Sequence, residues 1–279
     1  KVNAVVLDKT GTITEGKPRL VATEVLPSSV TEAQVLSWAA TLAGHSDHPV
    51  AKAIASGLNL PKNGLTDFVA LPGRGIEART DGQKLTLGNH RLIEDRHLCS
   101  AEIEARLYAH EAQGRTVTLL AGEQGVLALF AVADTTKPSS QQAIAELHAQ
   151  GVRVVMLTGD NEVTAQAIAR QVAIDEVHGS LLPHDKLQRV QQLAQVGPVA
   201  MVGDGINDGP ALSAAAIGFA MGGAGTGTAV EAADVLIMND DLRKVAETIA
   251  LSRRTYAVLW QNIALALGIK AAFLLMALF

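Results

Sequence analysis

Apolar runs that end in small polar turns alternate with amphipathic stretches along much of the chain. The first run, residues 3–7, predicts a short buried strand that delivers Asp8 into a turn. Similar runs predict strands at 130–132, 152–157 and 198–202, and helical patterns predict helices at 139–150 and 162–172 and a helix that begins at Pro183. Continuous apolar strands that alternate with helices predict a parallel sheet covered on both faces.

Between residues 21 and 127 the pattern is different. Asp81-Gly82 lies between the predicted strands 76–80 and 84–87, which is a strong hairpin signal. A second pair of predicted strands, 117–121 and 126–132, flanks residues 122–125. Thr31 and Gln34 predict a capping box for a helix that runs through Leu42. Hairpins and helices together predict an α+β unit inserted between the first and second strands of the parallel sheet.

The last eighteen residues, 262–279, are apolar after Asn262 except for Lys270. The run has no polar face, and a membrane-spanning helix needs about 20 apolar residues. Arg253 and Arg254 precede it, which fits the excess of basic residues on the cytoplasmic side of membrane helices. We expect the start of a transmembrane helix, although a helix that closes a soluble core is an alternative.

Composition limits the class of protein. With 279 residues the chain has room for about two domains, and with 48% hydrophobic but 3% aromatic residues its core must be aliphatic. A net charge of −5 with mixed signs gives no basic footprint, so we expect no nucleic-acid partner. The single Cys99 excludes an internal disulfide and suits a reducing compartment. No signal peptide is visible, and the first residue lies almost on the first strand, so we expect a fragment of a longer protein.

Three predicted strands of the parallel sheet end in residues that suit phosphoryl transfer. Asp8 is a candidate nucleophile toward phosphate, and Asp204 offers a hard oxygen ligand for Mg²⁺. Thr158 can donate its hydroxyl to a phosphoryl oxygen. Since the carboxyl ends of parallel strands meet at one edge of a sheet, we expect these side chains to converge.

Further polar residues follow these strand ends. Lys186, at the start of a predicted helix, can extend its ammonium toward the same phosphoryl oxygens, and Asn207 and Asp208 can brace the metal site. Taken singly, each of these residues is an ordinary turn or surface residue. Their occurrence in this order at strand ends and a helix start indicates phosphoryl transfer.

Three motifs resemble those of one family. Residues 8–12 (Asp-Lys-Thr-Gly-Thr), 158–160 (Thr-Gly-Asp) and 203–212 (beginning Gly-Asp-Gly-Ile-Asn-Asp) resemble the phosphorylation and hinge motifs of the P-type ATPases, a branch of the haloacid dehalogenase superfamily. The resemblance implies an α/β fold with a Rossmann-like parallel-sheet phosphorylation domain and an inserted α+β nucleotide-binding domain. It implies phosphorylation-domain segments at 1–20 and 128–254, the nucleotide-binding domain at 21–127, and the start of a transmembrane helix at 255–279.

The same resemblance assigns the site. It implies an aspartyl-phosphate enzyme with ATP as substrate and Mg²⁺ as cofactor. The implied catalytic residues are Asp8, Lys186, Thr158, Asp160 and Asn207, and the implied magnesium ligands are Asp8, the Thr10 carbonyl, Asp204 and Asp208.

Position 10 separates a pump from a soluble phosphatase. Phosphatases of the superfamily usually carry a second Asp two residues after the nucleophile, and this chain has Thr10 there. A threonine hydroxyl cannot serve as general acid or base near neutral pH, so the acyl phosphate is expected to persist. A soluble phosphatase and a nucleotide-binding regulatory module without catalysis remain the alternatives.

Elements of the inserted unit resemble the nucleotide site of the heavy-metal-transporting subgroup. His48-Pro49 resembles its His-Pro motif, and Gly73, Gly75 and Asn89 resemble its Gly-x-Gly and Gly-Asn elements. The chain departs from the subgroup at Ala43, where a Glu is usual, and at Gly227, where an Asp is usual. A zinc site at His45, Asp47 and His48 is an alternative, but no further ligand lies at suitable spacing.

The apolar tail favours one class of transported ion. Residues 262–270 resemble the membrane helix of the zinc/cadmium/lead exporters that carries a lysine, here Lys270. An ionisable residue within a membrane span is costly and usually functional. We expect a multi-pass protein of the cell (inner) membrane whose residues here mostly face the cytoplasm, with Zn²⁺ as the favoured ion and a copper pump as the alternative.

Overall fold

The computed structural model describes residues 2–204, 208–222 and 231–278. In chain order its strands are β1 (Ala4–Asp8), β2 (Arg19–Val25), β3 (Thr66–Leu71), β4 (Gly75–Thr80), β5 (Gln83–Gly88), β6 (Thr116–Gly122), β7 (Gly125–Ala133), β8 (Arg153–Leu157), β9 (Glu176–His178), β10 (Val199–Gly203), β11 (Ile217–Met221) and β12 (Val235–Ile237). Its helices are α1 (Glu32–Gly44), α2 (Pro49–Leu58), α3 (His90–Glu94), α4 (Ala101–Glu111), α5 (Pro138–Ala149), α6 (Glu162–Val172), α7 (Pro183–Val196), α8 (Gly209–Ala214) and α9 (Arg243–Leu278).

One sheet has six parallel strands in the order β12-β11-β10-β1-β8-β9. Its central strand β1 is apolar on both faces. Val5 and Leu7 pack with Ile144 of α5, whereas Val6 packs with Val190 of α7 on the opposite face. Helices therefore cover both faces, and the predicted parallel sheet is confirmed.

The second sheet has six strands in the order β2-β7-β6-β5-β4-β3, and its pairings are antiparallel. Helices α1 and α2 cover one face, where Leu120 and Phe130 are buried. Helices α3 and α4 cover the other, where Leu119 and Leu129 are buried. The predicted α+β insertion is confirmed.

The strand at 130–132 belongs to a different sheet from the one its pattern indicated. Residues 125–133 form one strand, β7, between β2 and β6 of the antiparallel sheet. The predicted domain boundaries at 20/21 and 127/128 therefore fall inside β2 and β7. The reason is physical: β7 is covered by helices on both faces, so its continuous apolar run looks like a parallel-sheet strand.

The turn at Asp81 anchors the helical layer of the insertion. Asp81 and Gly82 both have positive φ (50° and 76°), as the predicted two-residue hairpin requires. The Asp81 carboxylate accepts hydrogen bonds from Gln34 Nε2 (2.8 Å) and Trp38 Nε1 (2.9 Å). Thr31 caps α1 as predicted, but the Gln34 side chain bonds to Asp81, so the reciprocal half of the predicted capping box was wrong.

The C-terminal helix α9 has two parts. At its start Val245 and Ile249 are buried against the parallel-sheet domain, and Arg253 Nη1 donates to the Gln150 carbonyl at 2.6 Å. Beyond that point the helix is exposed. Its most apolar 18-residue window has a mean hydropathy of 1.7 and is 0% buried, so α9 is long and apolar enough to cross a membrane.

Candidate active site

Asp8 is buried at the carboxyl end of β1, where Lys186 holds it. Lys186 lies in the first turn of α7, and its Nζ donates to Asp8 Oδ1 at 2.5 Å and to Asp208 Oδ1 at 3.0 Å. Burial disfavours the ammonium, but the charges of Asp8 and Asp208 outweigh it and raise the pKa of Lys186. Lys186 is therefore a fixed positive charge that orients the Asp8 carboxylate.

Three carboxylates meet at this edge of the sheet. One oxygen from each of Asp8, Asp204 and Asp208 lies within 4.8 Å of the others. Burial, followed by the charges of Asp8 and Asp208, raises the pKa of Asp204 to about 7. Burial and Asp8 also raise the pKa of Asp208 to about 6, against the opposing charge of Lys186. Crowded carboxylates of this kind, with oxygen-only donors, fit a hard divalent cation such as Mg²⁺.

This arrangement predicts a pH-dependent response to magnesium. The folded pKa values of Asp204 and Asp208 lie above the ordinary value of 3.8, so the folded state binds more protons than the unfolded state between about pH 4 and 7. Without a cation, the free energy of unfolding should fall as pH rises through this window. Added Mg²⁺ should raise the unfolding temperature strongly at pH 8 and weakly at pH 5, as thermal-shift titrations would show.

The control for this effect removes one carboxylate. Asp204→Asn should raise the stability of the cation-free protein at pH 8 and suppress most of its response to Mg²⁺. A magnesium response of equal size at pH 5 and pH 8 in the unsubstituted protein would contradict the carboxylate assignment.

The turn after Asp8 fits tightly against the carboxylates. Gly11 has φ +72°, and a Cβ on it would lie 1.7 Å from Asp204 Oδ2. The Gly11 backbone therefore lies against Asp204, one residue after the Thr10 carbonyl that the resemblance implies as a magnesium ligand. Behind the turn, Lys137 Nζ donates to the Gly11 carbonyl at 2.6 Å and fixes it.

Alanine substitutions at Gly11 and Gly82 distinguish the cost of a strained backbone from the cost of a clash with Asp204. Gly11→Ala and Gly82→Ala both place alanine at a similar positive φ, which costs roughly 1–2 kcal/mol, but nothing lies within 4 Å of a Cβ at Gly82. We expect Gly82→Ala to show only the backbone cost in urea unfolding, and Gly11→Ala to exceed it and weaken Mg²⁺ binding. Equal costs with unchanged Mg²⁺ binding would contradict the close approach of Gly11 to Asp204.

Asp160 is the centre of a separate network beside the nucleophile. Its Oδ2 contacts Lys9 Nζ at 2.5 Å and accepts from Thr158 Oγ1 at 3.0 Å, and its Oδ1 accepts from Thr116 Oγ1 at 3.0 Å. Burial would raise the pKa of Asp160, but Lys9 outweighs this and lowers it. Asp160 is thus an ionised carboxylate that joins the residue after Asp8 to the start of β6 in the insertion.

Thr158 lies at the predicted strand end, but its groups are engaged by the protein. Its hydroxyl donates to Asp160, and its N–H donates to the His178 carbonyl at 3.0 Å because β8 pairs with β9. A free Thr158 N–H for a phosphoryl oxygen is therefore absent from this structure.

The predicted nucleotide residues lie on the insertion. Asn89 Nδ2 donates to the Gly73 carbonyl at 3.0 Å, and Gly73 approaches Leu182 of the other domain at 4.0 Å from its Cβ position. Exposed His48 caps α2, where its Nδ1 accepts from Val50 N at 3.3 Å. Gly73 is thus placed toward the parallel-sheet domain. Gly75 has a structural requirement of its own, since a Cβ there would lie 2.3 Å from the Leu87 carbonyl oxygen.

Two predicted positions, Asn207 and Gly227, lie outside the described residues. Sequence reasoning missed the contacts of Lys9, Lys137 and Thr116, each made to a partner distant along the chain. The available signal was a lysine directly after a buried strand, where an ammonium needs a carboxylate partner.

Comparison with known proteins decides the family. Residues 2–216 match the haloacid dehalogenase-like hydrolases. The chain belongs to this family. Among its relatives, a probable cadmium-transporting ATPase of Staphylococcus aureus is 39% identical over 284 residues, which cover 99% of this chain and 35% of the relative. A copper-exporting P-type ATPase of Staphylococcus haemolyticus (strain JCSC1435) is 42% identical over 276 residues, covering 98% of this chain and 34% of the relative.

A solved structure agrees with these relatives. A zinc-transporting PIB-type ATPase in its E2.Pi state matches with a TM-score of 0.69 and 40% identity, covering 100% of this chain and 45% of that one. The predicted α/β fold and the predicted resemblance to heavy-metal P-type ATPases are confirmed. The chain spans less than half the length of each of these three proteins.

Proposed function

We propose that this chain is the ATP-binding and phosphorylation unit of a P-type ATPase that exports a divalent heavy metal, with zinc favoured over cadmium and lead. The observation that carries the proposal is the buried Asp8 carboxylate, held by Lys186 and adjacent to the carboxylates of Asp204 and Asp208. A nucleophile, a fixed positive charge and a cation site at one strand edge are the parts that phosphoryl transfer requires.

In the proposed reaction, a carboxylate oxygen of Asp8 forms a bond to the γ-phosphorus of ATP, the bond from that phosphorus to the β-γ bridging oxygen breaks, and ADP leaves. Lys186 orients the Asp8 carboxylate and places positive charge beside the developing phosphate. Mg²⁺ bound by Asp8, Asp204, Asp208 and the Thr10 carbonyl would neutralise phosphate charge. The remaining catalytic assignments, Thr158, Asp160 and Asn207, stay predictions.

The nucleotide is proposed to lie between the domains. His48 would contact the adenine, Gly73 and Gly75 would let the backbone approach the nucleotide, and Asn89 would complete this nucleotide site. The support is their position: Gly73 faces Leu182 at the start of α7, which also carries Lys186. The γ-phosphate could therefore reach Asp8 from a nucleotide held by residues 21–127.

The identity of the ion rests on Lys270. The named relatives include both cadmium and copper transporters, so similarity alone does not separate these ions. Lys270 lies within the exposed apolar part of α9, where a lysine suits a site for a divalent cargo as a built-in countercharge. With Arg253 and Arg254 before that part, α9 would enter the inner membrane from the cytoplasm.

Transport by the full-length protein tests this proposal. Inside-out vesicles should take up Zn²⁺ in an ATP-dependent manner, and should not take up Cu⁺. Lys270→Ala should reduce zinc uptake by about tenfold or more, because it removes a charge from a low-dielectric span. Lys244→Ala is the matched control, since Lys244 lies on α9 outside the apolar part and pairs with Glu247. Preferential Cu⁺ uptake that Lys270→Ala leaves unchanged would overturn the zinc assignment.

A further inference from the structure

A second group of metal-ligating side chains lies in the insertion, apart from the strand-end carboxylates. One ligand atom from each of His90, Cys99 and Glu104 lies within 4.8 Å of the others. These residues supply an imidazole, a thiol and a carboxylate, the three ligand types that zinc takes in proteins. None of the three takes part in the chemistry proposed for Asp8.

The local fold explains why these residues meet. Asn89 caps α3, so His90 is its first residue, and the chain reverses after α3 through His97 with φ 58°. Ser100 then caps α4, accepting from Ile103 N at 3.3 Å, so Cys99 immediately precedes the cap. Glu104 lies in the first turn of α4. The reversal brings the start of one helix against the start of the next.

His90 carries an independent sign of a missing partner. Its Nε2 is buried, and within the described part of the chain it has no hydrogen-bond partner. A buried imidazole nitrogen normally donates, accepts or binds a metal, and leaving it unpaired costs free energy. A metal ion bound to this nitrogen as well as to Cys99 and Glu104 would satisfy it.

The surroundings favour a cation. Among the described residues Glu104 forms no ion pair. Its carboxylate lies beside the Cys99 thiol without a positive partner, and a divalent ion would neutralise it.

We propose that His90, Cys99 and Glu104 bind a divalent transition metal ion of the zinc class, with water completing a four-coordinate site. Neighbouring ligand atoms around tetrahedral zinc lie about 3.3–3.8 Å apart, so ligand atoms within 4.8 Å of one another need to close by no more than about 1.5 Å. Glu104 is exposed and Cys99 half-buried, so the Glu104 side chain is free to move inward and the ion can enter from solvent.

Cobalt provides the test, because thiolate-to-cobalt charge transfer reports the ligand directly. The full 279-residue chain in detergent, with a non-thiol reductant and saturating Mg²⁺ at the strand-end carboxylates, is titrated with Co²⁺. We expect a near-ultraviolet charge-transfer band and the visible bands of four-coordinate cobalt, both abolished by Zn²⁺. Cys99 is the single cysteine of the chain, so the band can come only from it.

Variants and a chelator competition complete the test. Cys99→Ser should abolish the charge-transfer band, and His90→Gln and Glu104→Gln should each weaken Zn²⁺ binding by more than roughly tenfold. Glu102→Gln is the matched control on the same turn of α4, because Glu102 pairs with Arg106 at 2.9 Å, and its Zn²⁺ affinity should not change. Unfolding temperatures measured without metal establish that each variant folds.

Two results would overturn the proposal. One is a titration of the unsubstituted chain that shows no thiolate band, whether or not Zn²⁺ binds elsewhere. The other is a thiolate band that reports the same Co²⁺ affinity in folded His90→Gln and Glu104→Gln as in the unsubstituted chain. Cys99 would then bind the ion without His90 and Glu104. Neither result would bear on phosphorylation of Asp8, which uses a different set of side chains.

Discussion

Asp8→Asn is expected to abolish the acid-stable label that γ-labelled ATP leaves on the full-length protein. The amide that replaces the carboxylate is nearly the same size but is a poor nucleophile, so no acyl phosphate forms. Nucleotide binding should remain, because the substitution leaves the insertion and its His48 and Gly73 elements unchanged. The label is measured after an acid quench. Binding of ATP to the Asp8→Asn variant is measured separately at equilibrium.

Asp8→Asn also changes the charges around Lys186 and Asp204. Removing the Asp8 charge removes one cause of the raised pKa of Asp204 and one partner of Lys186. Asp67→Asn is the control, because Asp67 is an exposed residue at φ 52°, a conformation that asparagine tolerates, and its labelling should be normal. Acid-stable label that survives in Asp8→Asn would remove Asp8 from the role of nucleophile.

Features carried by local patterns could be predicted from the sequence. The runs at 3–7, 152–157 and 198–202 identified three parallel strands, because both faces of such strands are buried and their residues are continuously apolar. The Asp81-Gly82 hairpin was also predictable, since positive φ at two adjacent positions favours these residue types. The meeting of Asp8 and Asp204 followed from parallel strands that end at one edge, and Asp208 on the next loop was expected to brace the site that they form.

Features that depend on distant partners could not be read locally. Residues 130–132 are buried and apolar like a parallel strand, so their pattern predicted the wrong sheet. They lie in the antiparallel sheet of the insertion. Gln34 has the spacing of a capping box but bonds to Asp81, which is 47 residues away. The Lys9–Asp160 pair and the His90–Cys99–Glu104 group arise only when helices and strands pack. The position of Lys9 after a buried strand indicates that it needs a carboxylate partner, but not which one.

Thr10→Asp should convert a persistent phosphoenzyme into one that turns over rapidly. Thr10 is exposed, and its backbone is extended (φ −72°, ψ 129°), a conformation that aspartate adopts without strain. An aspartate there would supply the general base that threonine lacks, and positioned acid–base groups contribute about 10²- to 10⁴-fold. We expect hydrolysis of preformed phosphoenzyme, chased with unlabelled ATP after labelling, to accelerate by about 10²-fold or more.

Thr10→Asn separates this chemical effect from size and hydrogen bonding. Asparagine has the shape of aspartate without its acid–base capacity, so its phosphoenzyme should decay at nearly the original rate. Labelling is started at a pH near 7, where the added carboxylate is ionised. Decay rates are compared rather than label yields, because an extra negative charge near Asp8 and Asp204 will also reduce ATP binding. If the phosphoenzymes of Thr10→Asp and Thr10→Asn decay alike, the residue at position 10 does not control the lifetime of the acyl phosphate, and Thr10 does not distinguish a pump from a phosphatase.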